Sequence, residues 1–232
     1  MTQQQLTIAI DGPVAAGKGT IAALLAQKLH GFHLYSGAMY RCVALYCVRN
    51  NIDMLDSEAV ISALSSMQFD LEPDKAFLNG EEVTEIIKQR NIASLTPIIA
   101  AIAEVRAKLV ERQQEIAEEK AAKGMIVIAE GRDAATKILP RAFLKVFLTA
   151  TPEVRAERRL AQMKQLGKSM VFEDVLKDTI DRDKKDTQRD ADPLVSDPKS
   201  YGYLIVDDST MSEEQTIDTI IKELERKQHD SH

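Results

Sequence analysis

The residues best suited to chemistry lie in a short segment near the amino terminus, between an apolar run and a helical pattern. In that context a G-x-x-x-x-G-K motif indicates a loop whose backbone N–H groups, with the following helix, bind phosphate. Lys18 would reach the β- and γ-phosphates of ATP, and the Thr20 hydroxyl would be a ligand of Mg²⁺. The predicted ATP-binding residues are Gly12, Pro13, Val14, Ala15, Ala16, Gly17, Lys18, Gly19 and Thr20.

One position departs from the general motif, because Gly19 stands where serine or threonine usually follows the lysine and Thr20 comes next. Gly-Lys-Gly-Thr is typical of nucleoside monophosphate kinases among phosphate-loop proteins. A guanine-nucleotide switch is an alternative in this class, but it requires an N-K-x-D motif that the sequence lacks. A turn that merely joins a strand to a helix is disfavoured by the match of nine residues in the expected context.

Three further segments each combine arginine with a carboxylate or a hydroxyl group: residues 36–41, 130–133 and 182–189. Arginine binds phosphate bidentately, while carboxylates accept hydrogen bonds from ribose hydroxyl groups or a base amino group. Taken alone, an arginine such as Arg41 is more often a surface cation, and a segment such as 182–189 is more often a solvated helix end. Together with the phosphate loop, the three segments favour a nucleotide acceptor site.

The elements that must position these residues alternate between buried strands and helices, which predicts an α/β fold: a doubly wound, mostly parallel phosphate-loop sheet with flanking helices. Strands are predicted at Leu6–Ile10, Phe32–Leu34, Met125–Ala129, Leu144–Leu148 and Tyr203–Val206. Helices are predicted at Lys18–Leu29, Ala38–Asn50, Ser57–Ser66, Ile98–Lys123, Pro152–Leu166, Phe172–Arg189 and Ser212–Lys227. Ligands of such sheets bind beyond the carboxyl ends of the strands, here marked by Asp11, Tyr35, Glu130 and Thr149.

Residues 68–83 depart from this pattern, because they form short alternating runs around Asn79-Gly80. Asn-Gly is a strong signal for a type I′ hairpin. We therefore predict a small antiparallel insert within one domain that spans residues 1–232.

Composition restricts the partners. The 232 residues carry a net charge of −6, which disfavours duplex nucleic acid as the main ligand. No apolar run approaches the roughly 18 residues of a membrane span, and the amino terminus has no basic leader, so we expect a cytoplasmic protein, by default a monomer. Cys42 and Cys47 lie five residues apart in one predicted helix and are interpreted as reduced packing residues.

Several motifs occur in the order found in bacterial cytidylate kinases, which the sequence resembles from Leu6 to Leu224. The motifs are IAIDGPVAAGKGT, SGAMYR, EGRDAATKILP, RAERRLAQMKQLG, RDKKDTQR, Pro193-Leu194 and VDDSTMSEEQ. The resemblance implies transfer of phosphate from ATP, with Mg²⁺, to CMP and dCMP. It also implies a nucleotide-monophosphate-binding insert at about 63–97 and a short helical lid over ATP at about 153–170.

The resemblance also implies roles for individual residues. The acceptor phosphate would be bound by Arg41 and Arg132, with Ser36 and Tyr40 beside it. The implied base and ribose contacts are Arg106 and Asp133 for cytosine, Arg182 and Asp186 for ribose, and Arg189 for the base or the phosphates. The implied catalytic residues are Lys18, Arg132 and Arg182, and the lid arginines near ATP are Arg155, Arg158 and Arg159.

Three positions depart from the family pattern. Tyr35 stands where the family usually has aspartate, Ala135 replaces a glycine, and Pro97 replaces a serine that contacts the base. Ser94 and Thr96 are the nearby candidates to supply the missing hydroxyl group.

The expected mechanism is in-line transfer without a covalent intermediate or an obligatory histidine. The sequence leaves open whether Asp11 or Glu130 holds magnesium through water. The alternatives are a kinase for another small acceptor, such as UMP or AMP, and an ATP-binding regulator that transfers no phosphate.

Overall fold

The computed structural model describes residues 6–73, 75–165, 167, 169–189 and 191–230. Its strands are β1 (Thr7–Asp11), β2 (Phe32–Tyr35), β3 (Phe69–Glu72), β4 (Lys75–Leu78), β5 (Glu81–Glu82), β6 (Val127–Glu130), β7 (Leu144–Thr149) and β8 (Leu204–Asp207). Its helices are α1 (Lys18–Lys28), α2 (Ser36–Arg49), α3 (Ser57–Leu64), α4 (Thr84–Lys88), α5 (Arg90–Ala93), α6 (Thr96–Ala100), α7 (Ala103–Ala122), α8 (Pro152–Gln165), α9 (Phe172–Gln188) and α10 (Glu213–Asp230). A π-helical turn at Ala134–Ile138 and a 3₁₀ turn at Pro198–Tyr201 complete the regular elements.

The central sheet is parallel, with the strand order β2-β6-β1-β7-β8. Glu130 pairs in register with Ile10 on one side and with Tyr35 on the other, so the strands end at one edge. The four residues predicted to mark strand ends are the last residues of β1, β2, β6 and β7: Asp11, Tyr35, Glu130 and Thr149. This edge is where the doubly wound prediction located the ligands.

Alternating side chains divide the interior into two cores, one on each face of the sheet. Ile8 and Ile10 pack on the face covered by α1 and α10. Ala9, between them, belongs to the other core, with α2 and α7. Helices on both faces of a parallel sheet confirm the predicted doubly wound α/β class.

The predicted antiparallel insert is present as the three-stranded sheet β3-β4-β5. Asn79 and Gly80 both have positive φ angles, 52° and 80°, as a type I′ turn requires. The Asn79 side chain also accepts a hydrogen bond from the Gln68 backbone N–H at 2.7 Å and donates one to the Ser66 carbonyl at 3.1 Å. The turn therefore joins the insert to the end of α3.

The predicted helix Ile98–Lys123 is wrong in one respect, because two helices, α6 and α7, occupy this segment. Ile102 lies between them in an extended conformation and is buried. Its apolar side chain continues the helical periodicity, so the sequence pattern conceals the break. The end of the predicted helix Pro152–Leu166 also differs, since α8 ends at Gln165 and residue 166 lies outside the described residues.

The predicted packing role of the cysteines agrees with the structure, since Cys42 and Cys47 are free and buried in α2. None of the helices in the described part of the chain is both long enough and apolar enough to cross a membrane.

Candidate active site

The phosphate loop begins directly after β1. It passes so close to the backbone of β7 that its first residue must be glycine. Gly12 has a φ angle of 153°, and a Cβ atom there would lie 2.0 Å from the Leu148 carbonyl oxygen. At the other end of the loop Gly17, with φ of 80°, is the residue before the first turn of α1. These two conformations turn the backbone toward the amino terminus of α1, the arrangement that binds phosphate.

Lys18 is held inside this loop. Its Nζ atom donates a 2.8 Å hydrogen bond to the Pro13 carbonyl, and the residue is only 5% exposed. Burial, and next the positive charge of Arg132, lower its pKa to about 7 against the opposing effect of Glu130. An anion beside Lys18 would offset the effects of burial and of Arg132 and raise the pKa of the lysine, as expected of a phosphate-binding residue.

Two other predicted ATP-side residues flank the loop. Thr20 lies exposed in the first turn of α1. Arg158 lies close to Gly17, with its Nη1 atom 4.0 Å from the position a Cβ would take there. Its guanidinium donates to the Asp208 carboxylate at 2.9 Å and to the Asp208 carbonyl at 3.0 Å. Asp208 therefore orients Arg158 beside the loop.

Asp11 has a structural role that its position at the end of a strand did not reveal. Its carboxylate accepts hydrogen bonds from the backbone N–H groups of Ala134 and Ala135, at 2.7 and 2.9 Å, and from the Tyr203 hydroxyl at 2.7 Å. Burial raises the pKa of Asp11, whereas these three hydrogen bonds lower it. Because protein groups occupy both oxygens, Asp11 anchors the turn that follows Arg132 and Asp133.

On the acceptor side, Ser36 joins the ends of β2 and β6. Its hydroxyl donates a 2.6 Å hydrogen bond to the Glu130 carbonyl, and a Cβ atom on Gly131 would come within 3.2 Å of it. The fully buried Gln113 donates from Nε2 to the Ser36 carbonyl at 3.3 Å. Sequence reasoning missed Gln113, since no local pattern marks a polar residue on the inner face of a long helix.

Two aromatic rings support two of the predicted acceptor arginines. The Arg41 guanidinium lies 5.4 Å from the centre of the Tyr35 ring, and that of Arg106 lies 5.8 Å from the centre of the Tyr40 ring. The Nε atom of Arg41 is buried without a hydrogen-bond partner among the described residues. Burial raises the pKa of Tyr35 to about 12, while the charge of Arg41 lowers it.

A buried ion-pair cluster connects the predicted base-binding residues. Arg106 contacts the Asp133 carboxylate and also donates from Nε to Asp192 at 3.0 Å. The Asp192 carbonyl accepts from Arg189, and its carboxylate pairs with Lys137 at 2.9 Å. Sequence reasoning missed Asp192, which follows the predicted helix Phe172–Arg189 without any motif of its own.

The remaining predicted acceptor residues bring cations close together. Arg132 pairs through Nε with the Asp186 carboxylate at 2.6 Å. The pKa of Arg182 is lowered by burial and then by the charges of Arg159 and Arg132. Burial, followed by the charge of Arg106, likewise lowers the pKa of Arg189. Cations that repel one another at a strand edge form a site for a polyanion.

Pro97 and the two residues predicted to supply the missing hydroxyl group, Ser94 and Thr96, differ in their surroundings. Pro97 and Ser94 are exposed, whereas the Thr96 hydroxyl is buried and has no hydrogen-bond partner among the described residues. The predicted lid arginines differ too: Arg155 is buried, and Arg159 pairs with Asp178 at 2.9 Å. Residues 166 and 168 of the predicted lid and residue 74 of the predicted insert lie outside the described residues.

Comparison with known proteins gives a consistent result. Residues 8–226 match the family model described as cytidylate kinase. The cytidylate kinase of Caldicellulosiruptor bescii is 37% identical over 223 residues, which cover 94% of this chain and 95% of that protein. The cytidylate kinase of Thermotoga maritima is 38% identical over 216 residues, with 93% and 94% covered. A crystal structure of an uncharacterized protein from Eubacterium ventriosum superposes with a TM-score of 0.52 at 13% identity, covering 96% of this chain and 99% of that one, a likeness of fold alone.

Proposed function

Because the chain belongs to the cytidylate kinase family, we propose that it transfers the terminal phosphate of ATP to CMP. The observation that carries the proposal is the proximity of the two half-sites at one sheet edge. Lys18 of the phosphate loop lies close enough to Arg132 for that charge to lower its pKa. A phosphate between these two cations would contact the donor and acceptor sides at once.

The chain's own residues supply positioning and charge. Lys18 would bind the β- and γ-phosphates, and Arg132 and Arg182 would offset the charge that spreads over the transferred group. Arg41 would bind the CMP phosphate on the other side, with Ser36 and Tyr40 beside it. Because both nucleotides are bound next to each other, the acceptor oxygen attacks in line without a covalent intermediate.

The residues around the phosphate loop suit a Mg²⁺ ion that is held mainly by the phosphates of the nucleotide. Within the described ranges, no group of three or more histidine, cysteine or acidic side chains is placed to hold a metal. Thr20 is exposed at the first turn of α1, where a hydroxyl ligand is expected, and Asp11 is committed to protein donors. When bound, Mg²⁺ would screen the β- and γ-phosphate oxygens.

The base and the sugar would be recognised by the remaining acceptor residues. Arg106 and Asp133 are buried together beside Tyr40, which suits a flat base with an amino group. Arg182 and Asp186 of α9 would contact the ribose, and Arg189, directly after α9, would reach the base or the phosphates. We propose that dCMP is also a substrate, since the phosphate and base contacts are the same for both nucleotides.

Two larger features belong to this proposal. The insert at about 63–97 would bind the monophosphate, and the segment at about 153–170, which includes Arg158, would cover ATP. Closing of both would exclude water that otherwise hydrolyses ATP. We also propose that the protein acts as a monomer, in which one chain supplies all the predicted site residues.

The test is ADP release from ATP and Mg²⁺ with CMP, dCMP, UMP and AMP supplied separately. Rates that rise steeply with CMP and dCMP, and little with AMP, support the proposal. An equal or larger response to UMP would move the assignment to a broader pyrimidine acceptor. ATP binding without stimulation by any of the four would exclude the kinase and favour a regulator.

A further inference from the structure

The backbone of the phosphate loop is bonded on both sides to one ion pair. The Val14 N–H donates to the Asp183 carboxylate at 3.1 Å, and the Val14 carbonyl accepts from Arg155 Nη1 at 3.0 Å. Arg155 Nη1 in turn pairs with Asp183 at 2.6 Å. We call this arrangement of Val14, Arg155 and Asp183 the loop clamp.

The loop clamp is anchored in the protein interior. Arg155 is 4% exposed, and its Nε atom donates to the Ala150 carbonyl, just beyond the end of β7, at 2.9 Å. An arginine fixed in this way to the sheet is poorly suited to swing over a nucleotide as part of a lid. Its three bonds instead fix the loop relative to β7 and α9.

The position of Asp183 on α9 connects the clamp to the acceptor side. Its neighbour in sequence is Arg182, and one turn further along is Asp186, which pairs with Arg132 at 2.6 Å. The same helix therefore bonds to the ATP loop at one residue and to an acceptor arginine at another. A shift of α9 would move both half-sites.

We propose that Arg155 and Asp183 are positioning residues that hold the phosphate loop at Val14 in its ATP-binding shape and fix its distance from the acceptor arginines. The inference rests on the proposed kinase function, because it assigns a role within that site. A purely structural ion pair would contribute to stability alone. A positioning pair would alter ATP affinity and turnover more than it alters CMP affinity.

The test compares Asp183→Ala with the matched control Asp181→Ala, which changes an exposed carboxylate on the same helix. Asp183→Ala removes the acceptor of the Val14 N–H and leaves Arg155 half paired. We expect the dissociation constant for ATP, measured by calorimetry without an acceptor, to rise about tenfold or more, and turnover to fall by a similar factor. The dissociation constant for CMP should change less than about twofold, and the control should match the unaltered protein.

A second readout does not depend on nucleotide or on activity. Hydrogen exchange of the Val14 amide in the free protein should be faster in Asp183→Ala, whereas amides of β1 should be unchanged. Asp183→Asn retains an oxygen acceptor and should recover part of this protection and part of the ATP affinity. If Asp183→Ala does not fold, Val14 exchange and ATP affinity are both measured in Asp183→Asn instead.

Unchanged Val14 exchange and unchanged ATP affinity in Asp183→Ala would overturn the loop clamp. An equal loss of ATP and CMP affinity, with a lowered melting temperature, would show a purely structural pair and overturn it as well. Failure of the proposed function would be seen separately, as an unaltered protein that CMP does not stimulate, and the Val14 exchange result would still decide the clamp.

Discussion

Arg132 is the residue at which the two proposed half-sites meet, since it pairs with Asp186 and its charge lowers the pKa of Lys18. Arg132→Ala should therefore leave ATP binding nearly intact and lower CMP turnover by about 100-fold or more, the scale of one lost charge contact. Steady-state kinetics with calorimetry of ATP binding measures both quantities. Arg141→Ala, an exposed arginine, is the control, and normal turnover in Arg132→Ala would remove Arg132 from the site.

Tyr35 is one of the three residues that depart from the family pattern, and its contacts in the structure suggest a function. Its ring lies against the Arg41 guanidinium, whose Nε atom is buried without a hydrogen-bond partner in the described part of the chain. The ring thus holds Arg41 where the family usually has a carboxylate. Tyr35→Leu should raise the KM for CMP about two- to fivefold, the size of one cation–π contact, while the KM for ATP stays the same.

Tyr35→Phe is the matched control for that contact, because it keeps the ring and removes only the hydroxyl group. Kinetics for Tyr35→Phe should match the unaltered protein. A Phe variant as impaired as the Leu variant would assign the effect to the hydroxyl group and contradict the ring contact.

Local motifs predicted the residues of the phosphate loop and the acceptor arginines, because their spacing is set by the phosphate groups that they are expected to bind. Their partners were not predictable. Tyr203 and Gln113 contact Asp11 and Ser36 across 192 and 77 positions of sequence, respectively. Asp192 likewise has no motif around it, although it accepts from Arg106. Such contacts depend on how elements pack, which a local pattern does not encode.

At the scale of elements, strands were predicted within two residues, because a buried parallel strand is a short apolar run with polar residues at its ends. The insert was predicted from short alternating runs on either side of Asn79 and Gly80, two residues that adopt positive φ angles more readily than most. The break between α6 and α7 was missed, since Ile102 fits the apolar stripe of either one helix or two. Where tertiary packing ends a helix without glycine or proline, the pattern gives no signal.

Helix α2 gives a prediction about its two thiols. Burial raises the pKa of Cys42 to about 12 from its ordinary 9.0, and it also raises that of Cys47. Neither thiol should therefore react with a disulfide reagent at pH 8 in the native protein, and both should react in denaturant. Rapid labelling of the native chain would contradict the packing of α2.

The same shift sets the sign of a pH dependence. Above about pH 9 the unfolded state releases thiol protons that the native state retains, so the Cys42 contribution to the free energy of unfolding falls as pH rises. Denaturant titrations from pH 8 to pH 10.5 should show a steeper decline for the unaltered protein than for Cys42→Ala. Parallel curves would contradict burial as the cause.

At the scale of the whole molecule, an acidic chain brings several of its arginines together near one edge of the sheet. The net charge is −6, yet Arg182 and Arg189 have lowered pKa values, to which burial and neighbouring arginines both contribute. The sequence predicted the sign of this local field from three segments far apart in the chain, since parallel strands bring their carboxyl ends together. It could not predict the strength of the field, which depends on burial and on the carboxylates, Asp186 and Asp192, that partly offset it.

This concentration of positive charge has a consequence for stability that does not require catalysis. Cations held close together at a buried edge oppose folding, and a bound dianion removes that repulsion. CMP at about 100 times its dissociation constant should stabilise the native state by about 2.7 kcal/mol. For a chain of this length that corresponds to a rise in melting temperature of about 5–10 °C.

Cytidine, which has the same base and sugar without the phosphate, separates the electrostatic cause from general binding. Calorimetric melting with cytidine at the same concentration should give a much smaller rise, and sulfate should raise the melting temperature more than chloride at equal ionic strength. If cytidine stabilised the protein as much as CMP, the base and sugar contacts would supply the binding energy. The arginine cluster would then be balanced by its own carboxylates before any nucleotide binds.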